Sequence, residues 1–150
     1  MIKGSELLTL VPHKGKMLLL SRIIDYDLEK RTLKSEYDIG PSCIFYDSDL
    51  GGVPSWVGFE FMAQSISSLS GFTSRIKGEP PKAGVIMSIS NIDFFYPVFT
   101  SKAVIEIVED VQLDKIFTFN CSVYSDNKLF ARGKLTVMDV DNVETLMKRR

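Results

Sequence analysis

Glu60 is the residue with the clearest chemical potential in this chain. It stands inside the run Val53-Pro54-Ser55-Trp56-Val57-Gly58-Phe59-Glu60-Phe61-Met62-Ala63-Gln64. Phe59, Phe61 and Met62 flank it, and Trp56 and Val57 lie one helical turn back. An unpaired carboxylate buried among such side chains is costly, and its pKa moves upward rather than the group staying charged. A carboxyl group perturbed in this way suits proton transfer. The bland alternative places Glu60 on a solvated edge of the helix. The chain's single histidine, His13, is the other candidate, because imidazole titrates near neutral pH. Its bland alternative is a hydrogen-bonded turn residue beside Pro12. Tyr46, Asp47 and Asp49 sit in a stretch rich in turn residues, where solvated turn chemistry is the default.

Composition narrows the class. At 150 residues the chain suits one domain, spanning 1–150, with a sizeable core. An apolar fraction of 45% and a charged fraction of 25% are ordinary for a globular protein. The formal net charge is −1 and the basic residues are scattered, which argues against a nucleic-acid surface. Lys148-Arg149-Arg150 reads as a basic terminus rather than a binding patch. No apolar run follows a basic head, and none is long enough to span a bilayer, so a cytoplasmic protein is expected. Cys43 and Cys121 have no His or Cys companions at ligand spacing. Free thiols in a reducing compartment are expected, with a single disulfide as the alternative, and neither metal nor cofactor is implied.

The elements that must position these groups follow from the pattern. Ser5 to Leu10 suits a brief helical turn capped by Ser5 and stopped by Pro12. Met17 to Ile24 reads as a buried strand, pairing through Leu28-Glu29-Lys30-Arg31 with an alternating strand from Thr32 to Ile39. Gly40 to Gly52 is a loop. Pro54 suits the first turn of a helix running to Arg75 or Ile76, with Gly78 and Pro80-Pro81 as stops. Gly58, Ala63, Ser65, Ser67, Ser68, Ser70 and Gly71 give that helix a small-residue surface. Trp56, Met62, Ile66, Leu69 and Phe72 spread around it, so it should be largely buried. The second half reads as antiparallel sheet: Val85 to Phe95, a bend at Pro97, a run through Ala103, Ile105 and Ile107, then two strands joined at Ser125-Asp126-Asn127-Lys128. One long buried helix ahead of such strands implies an α+β hot-dog arrangement, a curved antiparallel sheet wrapped around a central helix. Its free sheet edge implies pairing with another copy or a similar subunit.

Three segments then resemble a known family. Pro12-His13-Lys14-Gly15-Lys16-Met17-Leu18-Leu19-Leu20-Ser21-Arg22 is similar to the PHRxPFLLVDR opening of the hot-dog 3-hydroxyacyl-ACP dehydratases. The run from Val53-Pro54-Ser55 to Glu60-Phe61-Met62-Ala63-Gln64 resembles their MPGxLxxEAMAQ helix, and Phe94-Phe95-Tyr96-Pro97-Val98 their FxxPV segment. The Gly51 to Gly58 variant is most similar to the dehydratase branch of aryl-polyene pigment clusters.

The resemblance implies elimination of water from a 3-hydroxyacyl thioester on acyl carrier protein, in fatty-acid or aryl-polyene-type synthesis. Glu60 matches the helix carboxylate that handles the substrate hydroxyl. The thioester oxygen maps to the backbone N–H groups of Ser55 and Trp56, and Pro54 and Gln64 complete the implied substrate-binding set. Where the family carries glycine, this chain has Ser55. A larger departure concerns the family's catalytic histidine, whose place falls at Tyr46. Three readings stand open. His13 serves as the base; a partner hot-dog subunit in a heterodimer donates the histidine; or the chain is a non-catalytic half, as homodimer or heterodimer. A thioesterase of the same fold, with Glu60 activating water, is the competing chemistry.

Overall fold

The computed structural model describes residues 1–11, 15–79 and 83–140. His13, with Pro12 and Lys14, lies outside the described residues, as do Pro80-Pro81 and Lys148-Arg149-Arg150.

Seven antiparallel strands form one sheet, and one long helix packs across it. In chain order the strands are β1 (Ile2–Lys3), β2 (Arg22–Asp27), β3 (Thr32–Tyr37), β4 (Val53–Pro54), β5 (Ala83–Phe94), β6 (Val98–Phe99), β7 (Ala103–Leu113), β8 (Ile116–Ser125) and β9 (Lys128–Val140). The helices are α1 (Ser5–Leu8) and α2 (Gly58–Ile76). The large sheet runs β1-β2-β3-β7-β8-β9-β5, and β4 and β6 make a separate pair. This is the expected hot-dog layout of one dominant helix on an antiparallel sheet.

Local chemistry explains the connections. The turn between β2 and β3 is held by Asp27, whose Oδ1 accepts the Glu29 and Lys30 N–H groups at 3.0 Å each. Asp126 and Asn127, both at positive φ, make the tight turn between β8 and β9 whose twist matches the strands. Phe119, Cys121 and Val123 of β8, with Ile105 and Ile107 of β7 and Leu135 and Val137 of β9, fill the sheet's inner face. Both cysteines are free thiols, and burial pushes Cys121 up to about 12.

Three boundaries differ from expectation. Gly4, at φ +63°, precedes α1, and no side chain caps it, so Ser5 is inside the turn rather than its cap. Residues Gly15–Met17 form a 3-10 turn, and the strand starts only at Arg22. Leu19 and Leu20 are buried in the core instead of entering a ladder. Pro54, at ψ 139°, is extended and pairs with Val98, so helical backbone begins one residue later, as a 3-10 turn at Ser55–Val57 leading into α2. α2 does end at Ile76. Gly78 takes φ +69°, and the Glu79 N–H bonds to the Ser74 carbonyl at 2.9 Å.

The small residues of α2 permit its close seating. A Cβ at Gly71 would overlap the Leu10 carbonyl. Ser65 and Ser35 hydroxyls meet at 2.7 Å between helix and β3, and the Ser65 and Ser68 hydroxyls also donate to carbonyls one turn back. These serines are therefore satisfied inside the core. Phe59, Glu60, Ala63, Ser67 and Ser70 are the half-buried residues of this stretch.

Candidate active site

The N-terminal end of α2 is where the three motif segments converge. The second and third are joined by β4 and β6, with Val53 opposite Phe99 and Pro54 opposite Val98. Gly52 is needed beside this pair, because a Cβ there would overlap the Phe99 carbonyl. The first is joined to α2 by Gln64. Its Oε1 accepts the Leu19 N–H at 2.7 Å, and its Nε2 donates to the Met17 carbonyl at 2.9 Å.

Glu60 lies in the first turn of α2, where the helix dipole favours negative charge. It is half-buried, and it has no hydrogen-bond or ion-pair partner among the described residues. Phe61 beside it is fully enclosed, whereas Trp56 is 51% exposed and meets Phe45 edge-on at 5.7 Å between ring centres. The pocket of apolar neighbours expected around Glu60 is thus closed on the core side and open on the Trp56 side. Beneath it, Tyr37, Phe61, Phe99, Phe130 and Tyr96 form a chain of ring contacts at 5.1, 5.6, 4.9 and 4.7 Å. That chain makes a rigid aromatic floor for the helix start.

Two of the expected substrate contacts already have partners within the chain. Gln64 is 0% exposed, and both ends of its amide hold backbone of residues 17–19, so it positions the first motif rather than touching substrate. The Ser55 N–H is already donated to the Pro97 carbonyl at 2.9 Å and is not available to a thioester oxygen. The Trp56 N–H has no acceptor among the described residues, as befits a first-turn donor, and it remains a candidate. Ser55 is 7% exposed, and its hydroxyl likewise has no partner among the described residues. Pro54 is the strand residue that fixes the chain's entry into the helix.

Sequence reasoning missed Tyr37. Its ring packs on Phe61, the neighbour of Glu60. Burial, aided by the contact with Cys43, holds its phenol protonated well above the usual tyrosine range. No motif marks it; the only signal is its place at the end of an alternating strand. Also unforeseen is the ionic cluster of Arg22, in the first motif. Arg22 bonds Glu36 at 2.8 Å and also Asp38, while Lys102 reaches the other Glu36 oxygen at 3.1 Å. Among the described residues no group of three or more His, Cys, Asp or Glu side chains is placed to hold a metal ion.

The arrangement offers a carboxylate, an unspent backbone N–H and a buried hydroxyl at one helix end, which is a set suited to proton transfer beside a polarised carbonyl. Known proteins resemble the chain to different degrees. The chain is 34% identical over 73 residues to the 3-hydroxyacyl-acyl-carrier-protein dehydratase FabZ of Chlamydia caviae, covering 47% of each chain. It is 31% identical over 110 residues to FabZ of Yersinia enterocolitica, covering 71% of this chain and 64% of that one. The chain thus spans about half to somewhat under two thirds of the length of these relatives. In backbone it is similar to a chain of the dehydratase heterocomplex ApeI:P from Xenorhabdus doucetiae, with a TM-score of 0.85 at 20% identity over 96% of this chain and 97% of that one. A thioesterase from Haemophilus influenzae shares the fold less closely, with a TM-score of 0.57 at 14% identity over 80% and 78% of the two chains. These structures establish the hot-dog fold. The family profile described as ApeP dehydratase matches residues 5–148, nearly the whole length, and the chain belongs to this ApeP-like family.

Proposed function

We propose that this chain is a dehydratase subunit that removes water from 3-hydroxyacyl groups carried on acyl carrier protein, in fatty-acid or aryl-polyene-type synthesis. The observation that carries this reading is Glu60: a half-buried carboxylate with no partner among the described residues, in the first turn of α2, in a chain of the ApeP-like family. In the reaction a base removes the proton from the carbon next to the thioester. The carbon–oxygen bond of the 3-hydroxyl then breaks, and that oxygen leaves as water after taking a proton. Glu60 handles the hydroxyl side. The Trp56 N–H stabilises the thioester oxygen as it gains charge.

The base is a histidine, either His13 or one from a second hot-dog subunit. Two features support a partner. β5 is twelve residues long and pairs on one side only among the described residues, leaving an open edge that carries exposed Met87 and Ile89. Ile44, Leu50, Trp56, Phe95 and Tyr96 are also exposed around the catalytic end, an apolar rim that a second subunit would cover. The backbone likeness to a chain solved in a dehydratase heterocomplex points the same way. We place the protein in the cytoplasm with its carrier-protein substrate; no helix among the described residues is long and apolar enough to cross a membrane.

Mass spectrometry of 3-hydroxyacyl-ACP incubated with the chain, alone and with a hot-dog partner, tests the reading. Loss of one water from the carrier-bound acyl group is expected. Release of free acid instead identifies a thioesterase, and no change under either condition leaves a subunit without chemistry.

A further inference from the structure

Four buried serines satisfy their hydroxyls within the chain. Ser35 and Ser65 meet at 2.7 Å, Ser65 and Ser68 donate to the Phe61 and Gln64 carbonyls one turn back, and Ser125 donates to the Ser101 and Lys102 carbonyls. Ser55 is also enclosed, at 7% exposed, yet its hydroxyl has no partner among the described residues. Its place in the chain explains the difference. A serine inside a helix can donate to the carbonyl one turn back. Ser55 opens the 3-10 turn Ser55–Val57 that leads into α2, and Pro54 before it is extended, so no helical turn lies behind it. A buried hydroxyl left in this state is uncommon and calls for an explanation.

The backbone of the same residue is already occupied. The Ser55 N–H bonds the Pro97 carbonyl at 2.9 Å, which continues the β4–β6 pair. That pair is tightly enclosed: a Cβ on Gly52 would overlap the Phe99 carbonyl, and Phe99 is fully buried and stacked on Phe130. The Ser55 N–H cannot turn to a ligand without undoing this pairing. The Trp56 N–H has no acceptor among the described residues. A site that stabilises an oxygen gaining charge presents converging donors. The Ser55 hydroxyl and the Trp56 N–H flank one peptide unit, so both can reach a single acceptor. Both stand at the positive end of the helical stretch that carries Glu60.

Resting on the function proposed above, we infer that the Ser55 hydroxyl donates a hydrogen bond to the thioester oxygen of the substrate, beside the Trp56 N–H. It takes the role that the Ser55 N–H, held by Pro97, cannot fill. Ser55 is then a catalytic residue that forms no covalent bond and keeps its own proton. The resembled dehydratase motif has glycine here and holds no such hydroxyl, so this donor comes from the serine of this chain. The hydroxyl is out of water before substrate arrives. It therefore stabilises the oxygen most when that oxygen carries charge, in the transition state.

The test uses the chain assembled with its hot-dog partner. Its substrate is 3-hydroxybutyryl-ACP, and its probe is butyryl-pantetheine, a thioester with no 3-hydroxyl to lose. Ser55→Ala is expected to lower kcat on the order of 10²-fold while KM changes by less than about twofold. Ser55→Gly is expected to lose as much, because its N–H stays with Pro97. The infrared carbonyl band of the bound, isotope-labelled probe is expected at higher frequency in Ser55→Ala than in the parent, since a lost hydrogen bond stiffens the carbonyl. Parental kcat in Ser55→Ala or Ser55→Gly, or an unshifted band, overturns the inference, and Ser55→Gly decides alone if Ser55→Ala does not fold. A parent complex that shows the band difference but never dehydrates its substrate overturns the dehydratase reading and supports the Ser55 contact.

Discussion

The side chain of Gln64 accepts the backbone N–H of Leu19 at 2.7 Å, across 45 positions of sequence, and both groups are buried. Gln64 lies one turn beyond Glu60 on α2, and Leu19 belongs to the first motif. The bond therefore fixes the distance between the segment that follows His13 and the helix that carries the candidate acid. With the Nε2 bond to Met17, one amide supplies an acceptor and a donor to a stretch that makes no strand ladder of its own. Backbone that is buried without regular pairing needs such a partner.

Gln64→Leu keeps the side chain's bulk and strands the Leu19 N–H and Met17 carbonyl. Met17 is half exposed, so its carbonyl can turn to water, whereas the buried Leu19 N–H cannot, and leaving one buried polar group unsatisfied makes a loss of about 1–3 kcal/mol the expectation. Urea unfolding measures it. A midpoint within error of the parent would mean that the clamp contributes nothing. Gln64→Glu retains the acceptor for Leu19 but buries a carboxylate with an oxygen against the Met17 carbonyl, so a loss at least as large as that of Gln64→Leu is expected.

What could be read from the residues was the layout; what could not was the hydrogen bonding between distant segments. The small-residue surface of α2, its stop at Gly78 and the alternating run from Phe117 to Val123 all express local periodicity, and they appear in the fold as expected. Leu18-Leu19-Leu20 misled because a short apolar run looks the same whether it enters a sheet or simply crosses the core. Pro54 misled because its fixed φ suits both a first helical turn and an extended residue, and pairing with Val98 decided for the latter. At the site, Glu60 was legible as a carboxylate in an apolar run. The bonds of Gln64 and of the Ser55 N–H were not legible, because their partners, Leu19, Met17 and Pro97, are far away in sequence.

Glu60→Gln removes the proton-transfer group and preserves shape. Since Glu60 has no hydrogen-bond or ion-pair partner among the described residues, the fold should tolerate the change. Removing a general acid–base group typically lowers rate by about 10²–10⁴, and a kcat loss in that range is expected with unfolding midpoints unchanged. Parental turnover of 3-hydroxyacyl-ACP by the variant would show that Glu60 is not in the chemistry.

Glu36 should make stability depend on acid. Burial pushes its carboxyl pKa up, but hydrogen bonds from Arg22 and Lys102 outweigh that, and the net displacement is below the ordinary value of 4.5. A carboxylate depressed in the fold contributes stability above its unfolded pKa, and that contribution fades as pH falls through the folded value. Thermal unfolding of Glu36→Gln should therefore lie below the parent at neutral pH and converge with it as pH falls below the ordinary carboxylate value. A constant gap between the two across that window would show that the Arg22 cluster does not titrate with folding.

The histidine question is decided by mixing. A complete dehydratase site needs a base near neutral pKa, and this chain offers only His13 for that role. With the apolar rim around Trp56 and the open β5 edge, we expect little or no turnover from the isolated chain. Activity should appear when a hot-dog subunit bearing the family's histidine is added. His13→Ala in the mixture should leave turnover intact, because the partner supplies the base, while Glu60→Gln in this chain should still abolish it. Robust turnover by the purified chain alone, lost in His13→Ala, would reverse the assignment and make His13 the base. Turnover in the mixture that survives Glu60→Gln would move the whole reaction to the partner's own site and leave this chain as its scaffold.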